Sequence, residues 1–394
     1  MEANLIEQAR PPQSEFSRRL KNIRSRMKER EIDILVIFSG PGSLRFGQRG
    51  HVMYVSGYEA YFGDTMVILP QDENLESLLE LDEAHHPAPD CTWIETIKSS
   101  IDHVNILKEY LRDHKLENRK IGIAGEYSMS PSLYARFQEE IGPDRIEVAS
   151  DIIEVERIIK SEYEIGCMRE AARIAKKGIE AAVKFARPGV LEAEIIGEIE
   201  RVCRIEGSQF FPHYTMVISG MDANYVRWWW RCSQRRLEER DPWLLDFGTM
   251  YKGYCCDISR TFVLGSASQA QKETFEVLRR AQEAAKNTAK AGVLASEVNK
   301  ASSDVMKEAW GKESWAVGHG VGLEVHEWPF VGYHRITHDE AYKDTMLKEN
   351  MVISLEPAIY IPDIGVQQIE DQFLVTKTGS ERLNDIPQEI MECQ

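Results

Sequence analysis

The 394-residue chain lacks most of the features that would assign it to a specialised setting. It has no apolar run approaching the about 20 residues needed to cross a bilayer, which argues against a membrane role. Basic residues are in the minority, with 48 Lys+Arg against 64 Asp+Glu. The resulting net charge of −16 opposes a phosphate backbone, and no basic stripe offsets it, so nucleic acid is a poor partner. Cysteine is sparse as well. Seven cysteines at scattered spacings give no disulfide framework and fit a reducing compartment. The first residues, MEANLIEQARPPQSEF, show no basic segment followed by an apolar stretch and a small-residue cleavage site. The expected location is therefore cytoplasmic.

What is present is an ordinary globular composition, 43% hydrophobic, in a chain longer than a single core usually supports. The first part alternates helix-like and strand-like segments. Residues 15–31 are charged with an apolar stripe, and IDILVIF (32–38), VMYVSGY (52–58), DTMVILP (64–70) and KIGIAG (120–125) read as strands. This predicts an α/β domain over residues 1–158. A capping box at Ser161 and Glu164 then opens a long helix that Arg187-Pro188-Gly189 ends near Ala186. Beyond it the chain repeats itself. Gly189-Val190-Leu191 leads into Glu194-Ile195, and Gly292-Val293-Leu294 leads into Glu297-Val298 after a helix opened by Ser268 and Gln271. Residues 159–394 thus read as an internally duplicated α+β domain with its site between the halves.

Five residues of that domain carry the chemistry: Asp246, Asp257, His319, Glu356 and Glu370. In LLDFGTMYKGYCCDISRTFV two β-branched runs flank Tyr251-Lys252-Gly253. A turn centred between residues 251 and 252 puts Asp246 directly opposite Asp257, with Cβ atoms about 5 Å apart. A turn around Pro362-Asp363-Ile364-Gly365 likewise sets Glu356 opposite Glu370. Facing carboxylates repel unless a cation lies between them. Two divalent ions neutralise the four carboxylates and leave His319 as a neutral nitrogen ligand. Oxygen-rich ligation favours manganese, with iron, cobalt and zinc as alternatives, and two such ions serve hydrolysis. Cys255 and Cys256 adjoin Asp257, but alternation along a strand sends them to opposite faces, as packing residues.

The segments LLDFGTMYKGYCCDISRTFVLG, GHGVGLEVHEWP, MVISLEPAIYIP and QIEDQFLVTKTG resemble the pita-bread metallopeptidase family, especially prolidases and aminopeptidase P. The resemblance implies an α/β N-terminal domain and a C-terminal pita-bread domain with pseudo-twofold duplication. It implies that Asp246 chelates one metal, Asp257 and Glu370 bridge both, and His319 and Glu356 hold the second. It further implies that His326 contacts substrate or stabilises the oxyanion, and that Glu356 relays a proton while a metal-bound hydroxide attacks an amide or peptide C–N bond of a small molecule or short peptide. A homodimer is also implied, in which the aromatic loop at Tyr58, Tyr61 and Phe62 reaches a neighbouring site.

The chain departs from the family pattern around that centre. Arg227 followed by Trp228-Trp229-Trp230 stands where a histidine usually follows the Ser219-Gly220 pair. Trp315 replaces a histidine four residues before His319, and Gln368 replaces an arginine two residues before Glu370. In one reading these changes are divergence among peptidases, with His213 or His334 shuttling protons and the tryptophans packing at a dimer interface. In the other, Arg227, Trp228 and Trp315 shape a pocket for a small cationic metabolite, because indole faces attract onium charge. That would resemble the dimethylsulfoniopropionate lyases of this fold, or creatinase and ectoine hydrolase. The latter two have largely lost the ligands kept here. The lyases place an acidic residue where this chain has His326, which favours hydrolysis.

Overall fold

A computed structural model of the chain describes residues 11–40, 50–60, 63–81, 91–221, 223, 233–311, 318–332 and 344–393. Arg227, Trp228 to Trp230, Trp315, Tyr61, Phe62 and His334 lie outside the described residues. The chain divides into two compact units, Met1–Arg157 and Ile158–Gln394. Among the described residues, no helix is long and apolar enough to cross a membrane.

The first unit contains α1 (Gln13–Glu29), β1 (Ile34–Ser39), α2 (Gly50–Ser56), β2 (Thr65–Pro70), β3 (Leu78–Leu81), β4 (Thr96–Ser99), α3 (His103–Asp113), β5 (Ile121–Ala124), α4 (Pro131–Ile141) and β6 (Ile146–Val148), and α5 (Asp151–Ile158) closes it. Its strands form one mixed sheet in the order β4-β3-β2-β1-β5-β6. β1 and β2 are buried along their whole length, as strands covered on both faces must be. One expectation fails here: the stretch read as a strand at 52–58 is helical through Ser56, as part of α2. Its valines and tyrosine suit a strand locally, but tertiary contacts override that preference. The Ser39 hydroxyl accepts from the Val52 amide, and Arg19 donates to the Tyr54 carbonyl while stacking 4.2 Å above the Tyr54 ring.

The second unit is built twice over. Its first half runs α6 (Glu162–Phe185), α7 (Glu192–Ile205), β7 (Met216–Ser219), β8 (Pro242–Tyr251) and β9 (Tyr254–Leu264). The second runs α8 (Gln269–Thr288), α9 (Ala295–Trp310), β10 (Gly318–Gly320), β11 (Glu327–Val331), β12 (Val352–Leu355), β13 (Ala358–Ile361), β14 (Gly365–Gln368), β15 (Asp371–Val375) and β16 (Ser380–Arg382), and β17 (Met391–Cys393) returns to pair with β9. Capping boxes open α6 at Ser161 and α8 at Ser268. The duplication reaches single hydrogen bonds. The Gly189 and Gly292 amides donate to the carbonyls of Leu237 and Leu347, both at 2.8 Å, and those leucines donate back to Val190 and Val293, again at 2.8 Å. Arg240 and Asn350 occupy matching left-handed positions with φ of 66° and 68°.

The halves meet where a bridge joins Ser259 to Glu370. Beside it, Arg260 pairs with Asp371 at 2.6 Å, both side chains fully buried. The core of the first half packs Ala171, Ala175 and Ile179 of α6 against Trp243, Leu245, Phe247 and Ile258, with Trp243 stacked on Phe262 at 3.9 Å. This apolar layer lies behind the strand faces that carry the acidic residues. Cys255 and Cys256 are both buried.

Candidate metal centre

Two hairpins present the carboxylates. In the first, Lys252 and Gly253 form a two-residue turn with φ of 49° and 81°, the left-handed pair that suits the twist of antiparallel strands. This turn sits one residue later than the spacing predicts. Tyr251 therefore pairs with Tyr254, Asp246 with Ser259 and Gly248 with Asp257. Asp246 and Asp257 are diagonal neighbours and not directly opposed. A shift of two positions in the partner preserves the face, so the two still converge. In the second hairpin, Leu355 pairs with Asp371 and Ala358 with Gln368, which sets Glu356 across from Glu370.

His319 comes from the short strand β10, held between β11 and β12. The glycines on either side of it are required by close backbone approach. A Cβ on Gly318 would strike the Ser354 carbonyl, and one on Gly320 would strike that of Trp328. The His319 Nδ1–H donates to the Gly320 carbonyl at 3.0 Å, which directs the Nε2 lone pair inward. That atom is buried and has no hydrogen-bond partner among the described residues. It faces Asp257 at 3.6 Å and Glu356 and Glu370 at 3.7 Å each.

The surrounding groups fix these ligand atoms. The Ser354 hydroxyl donates to Glu370 Oε1 at 2.6 Å, and the Gln368 amide donates to Glu356 Oε2 at 3.4 Å. Burial, reinforced by the charge of Asp257, raises the pKa of Glu370. Burial disfavours a charge on His319, but the carboxylates of Glu370 and Asp257 outweigh it and raise its pKa. His326, at the rim, lies 3.9 Å from Asp257, and its ring sits 3.9 Å from that of His319. His213 also enters the site, with Nε2 at 2.9 Å from Asp257 and 3.8 Å from Asp246. Its charge too is opposed by burial, yet Asp257, Asp246 and Glu370 raise its pKa to about 9.

Nitrogen and oxygen atoms bound to one divalent ion at about 2.1 Å lie about 3–4 Å from each other. The observed separations have this span, and a buried imidazole nitrogen that faces three carboxylates with no hydrogen-bond partner among the described residues fits a divalent cation. Three groups of potential ligands overlap here: His213, Asp246 and Asp257; Asp257, His319 and His326; and His319, Glu356 and Glu370. The donor set fits two ions, with Asp257 belonging to two groups. All five acidic and imidazole residues singled out in the sequence are brought together. Tyr58 belongs to the other unit, where its amide donates to the Ser56 hydroxyl at 3.0 Å. Sequence reasoning missed the anchoring by Ser354, and it weighed His213 only as a proton carrier. No local pattern marks His213, because a loop brings it in.

Residues 166–377 match the family model described as metallopeptidase family M24, and residues 19–159 match the creatinase/prolidase N-terminal domain. An Xaa-Pro dipeptidase of Pyrococcus horikoshii is 30% identical over 383 residues, covering 95% of this chain and 99% of that protein. Among solved structures, the X-Pro aminopeptidase of Thermotoga maritima has a TM-score of 0.81 at 27% identity, covering 95% of this chain and 99% of its own. The prolidase of Pyrococcus horikoshii has a TM-score of 0.76 at 30% identity, covering 94% and 99% respectively.

Proposed function

Because the chain belongs to metallopeptidase family M24, we propose that it is a dinuclear metal-dependent hydrolase cleaving short Xaa-Pro peptides. The observation that carries this reading is the buried Nε2 of His319, which has no hydrogen-bond partner among the described residues and faces Asp257, Glu356 and Glu370. Asp246 and Asp257 would hold one ion and His319 and Glu356 the other, with Asp257 and Glu370 shared between the two. Divalent ions bound there supply Lewis acidity toward the scissile carbonyl and lower the pKa of water enough to make a nucleophile near neutral pH. Manganese suits this oxygen-rich set best.

The chain's own groups handle the protons. Glu356 accepts a proton from the attacking water and returns it to the leaving nitrogen. His326, exposed enough at the rim to meet substrate, donates a hydrogen bond to the carbonyl oxygen as charge develops there. Ser354 and the Gln368 amide keep Glu370 and Glu356 aimed inward. Arg227, Trp228 and Trp315 shape the substrate pocket, and Tyr58 contributes from the partner chain of a cytoplasmic homodimer. These assignments rest on the sequence pattern.

One observation favours a second reading. Gln368 supplies a neutral amide to Glu356, where the family pattern has an arginine, and its Oε1 is buried with no hydrogen-bond partner among the described residues. A site with less fixed positive charge suits a small cationic substrate, handled by a lyase or an amidohydrolase of this fold. The test is to load the protein with manganese or cobalt and assay Xaa-Pro dipeptides, longer proline peptides and dimethylsulfoniopropionate in parallel. Peptide hydrolysis is expected. Acrylate release from the sulfonium compound with inert peptides would overturn the peptidase reading.

A further inference from the structure

We propose that His213 is a sixth protein ligand of the metal centre, binding through Nε2 on the side of Asp246 and Asp257. The proposal rests on the dinuclear reading above and adds to it a nitrogen donor for the ion otherwise held by oxygen alone.

The imidazole is built into place. His213 is 5% exposed, and its Nδ1–H donates to the carbonyl of Tyr214 at 3.0 Å. A carbonyl can only accept, so this bond keeps a proton on Nδ1, and in the neutral ring a metal ligand must be, Nε2 is the nitrogen with a lone pair and it faces the two aspartates. His319 has the same arrangement, its Nδ1–H bound to the carbonyl of the next residue and its Nε2 turned to carboxylates. The Nε2 distances of 2.9 Å to Asp257 and 3.8 Å to Asp246 fall within the spacing of ligands on a common ion.

The approach of this segment is also prepared. Gly248 pairs with Asp257, and a Cβ there would lie 2.6 Å from Cγ of Pro212, the residue before His213. The same Cβ would lie 2.3 Å from the Cys256 carbonyl, so glycine at that position leaves room both for β9 and for the Pro212 ring seated on β8. The preceding residues are tied to the same strand, since the Gln209 amide donates to the Met250 carbonyl at 2.9 Å and the Met250 amide to the Ser208 hydroxyl at 3.2 Å. The loop thus has a fixed seat that delivers one imidazole to the carboxylates. An added imidazole brings no charge, so the neutrality of four carboxylates with two divalent ions is kept. It also moves the donor set toward metals that favour nitrogen, such as cobalt and zinc.

The competing role is a hydrogen bond from protonated His213 that merely positions Asp257. Glutamine separates the two, because its amide can donate to Asp257 but offers no imidazole. The full-length wild type, His213→Ala, His213→Gln and Asp257→Ala are loaded with cobalt. Equilibrium dialysis counts ions and affinities, and X-ray absorption counts imidazoles per ion. The wild type should bind two ions with an average of one imidazole each. Both His213 variants should keep one tight ion, weaken the other by more than about tenfold, and, at cobalt high enough to fill both sites, show half the imidazole count per ion. Wild-type affinities and imidazole count in His213→Gln would overturn the proposal. Two tight ions in Asp257→Ala would instead overturn the dinuclear assignment beneath it.

Discussion

Replacing Arg260 with methionine should destabilise the second unit strongly. Arg260 and Asp371 are wholly buried where the two halves meet, and their ion pair is 2.6 Å long. The guanidinium also donates to the carbonyls of Pro387 at 2.9 Å, Ser259 at 2.8 Å and Glu370 at 2.7 Å. Methionine fills a similar volume but leaves Asp371 charged in the interior. Its remaining neighbours, Asn384 at 2.8 Å and Gln388 at 3.3 Å, are neutral donors, and Arg382 is 3.8 Å away. Breaking one side of a buried pair costs about 3–5 kcal/mol, a large part of the about 5–15 kcal/mol that holds a domain folded. With a urea slope of about 3 kcal/mol/M, the midpoint of the second unit's transition should fall by about 1–2 M. Arg260→Met/Asp371→Leu should recover much of that loss, since no charge is then stranded. Urea titration followed by circular dichroism measures both. A single variant within about 1 kcal/mol of wild type would refute the reasoning.

Other consequences follow from buried charges elsewhere. Lys160 donates to Glu327 at 2.7 Å in a buried pair next to His326. Lys160→Met should cost about 3 kcal/mol, and adding Glu327→Gln should restore part of it; equal stability of the single and double variants in urea would contradict this. In the first unit, His103 lies 2.9 Å from Glu80. Burial opposes its charge, but Glu80 and the nearby acids outweigh it and raise its pKa, while burial raises that of Glu80. A raised histidine stabilises fully below its unfolded pKa of about 6.5 and loses that contribution as pH rises through the folded value. The advantage of wild type over His103→Gln in denaturant midpoint should therefore be full below about pH 6.5 and shrink as the pH rises above it. A constant difference would count against it.

The candidate metal ligands were legible because each sits in a pattern with a geometric cause. Hairpin periodicity marks Asp246, Asp257, Glu356 and Glu370, and close backbone approach on both sides of His319 demands Gly318 and Gly320. The duplication was legible for the same reason, since Gly189 and Gly292 make matching hydrogen bonds. What sequence could not supply was decided by contacts distant in the chain. The segment at 52–58 has the residues of a strand but is helical through Ser56 beneath Arg19. The exact pairing of Asp257 depended on which two residues turn left-handed. The ring of Pro212, beside His213, packs on Gly248, far along the chain, where a side chain would collide with it.

The most direct test of the central claim is a titration of metal-stripped protein with manganese, following hydrolysis of an Xaa-Pro dipeptide against the number of ions bound. The account predicts that activity rises to its plateau as two ions per chain are filled, and that Asp257→Ala neither binds the pair nor turns over. Full hydrolysis by the stripped protein, or a plateau reached with no ion bound at these carboxylates, would contradict it.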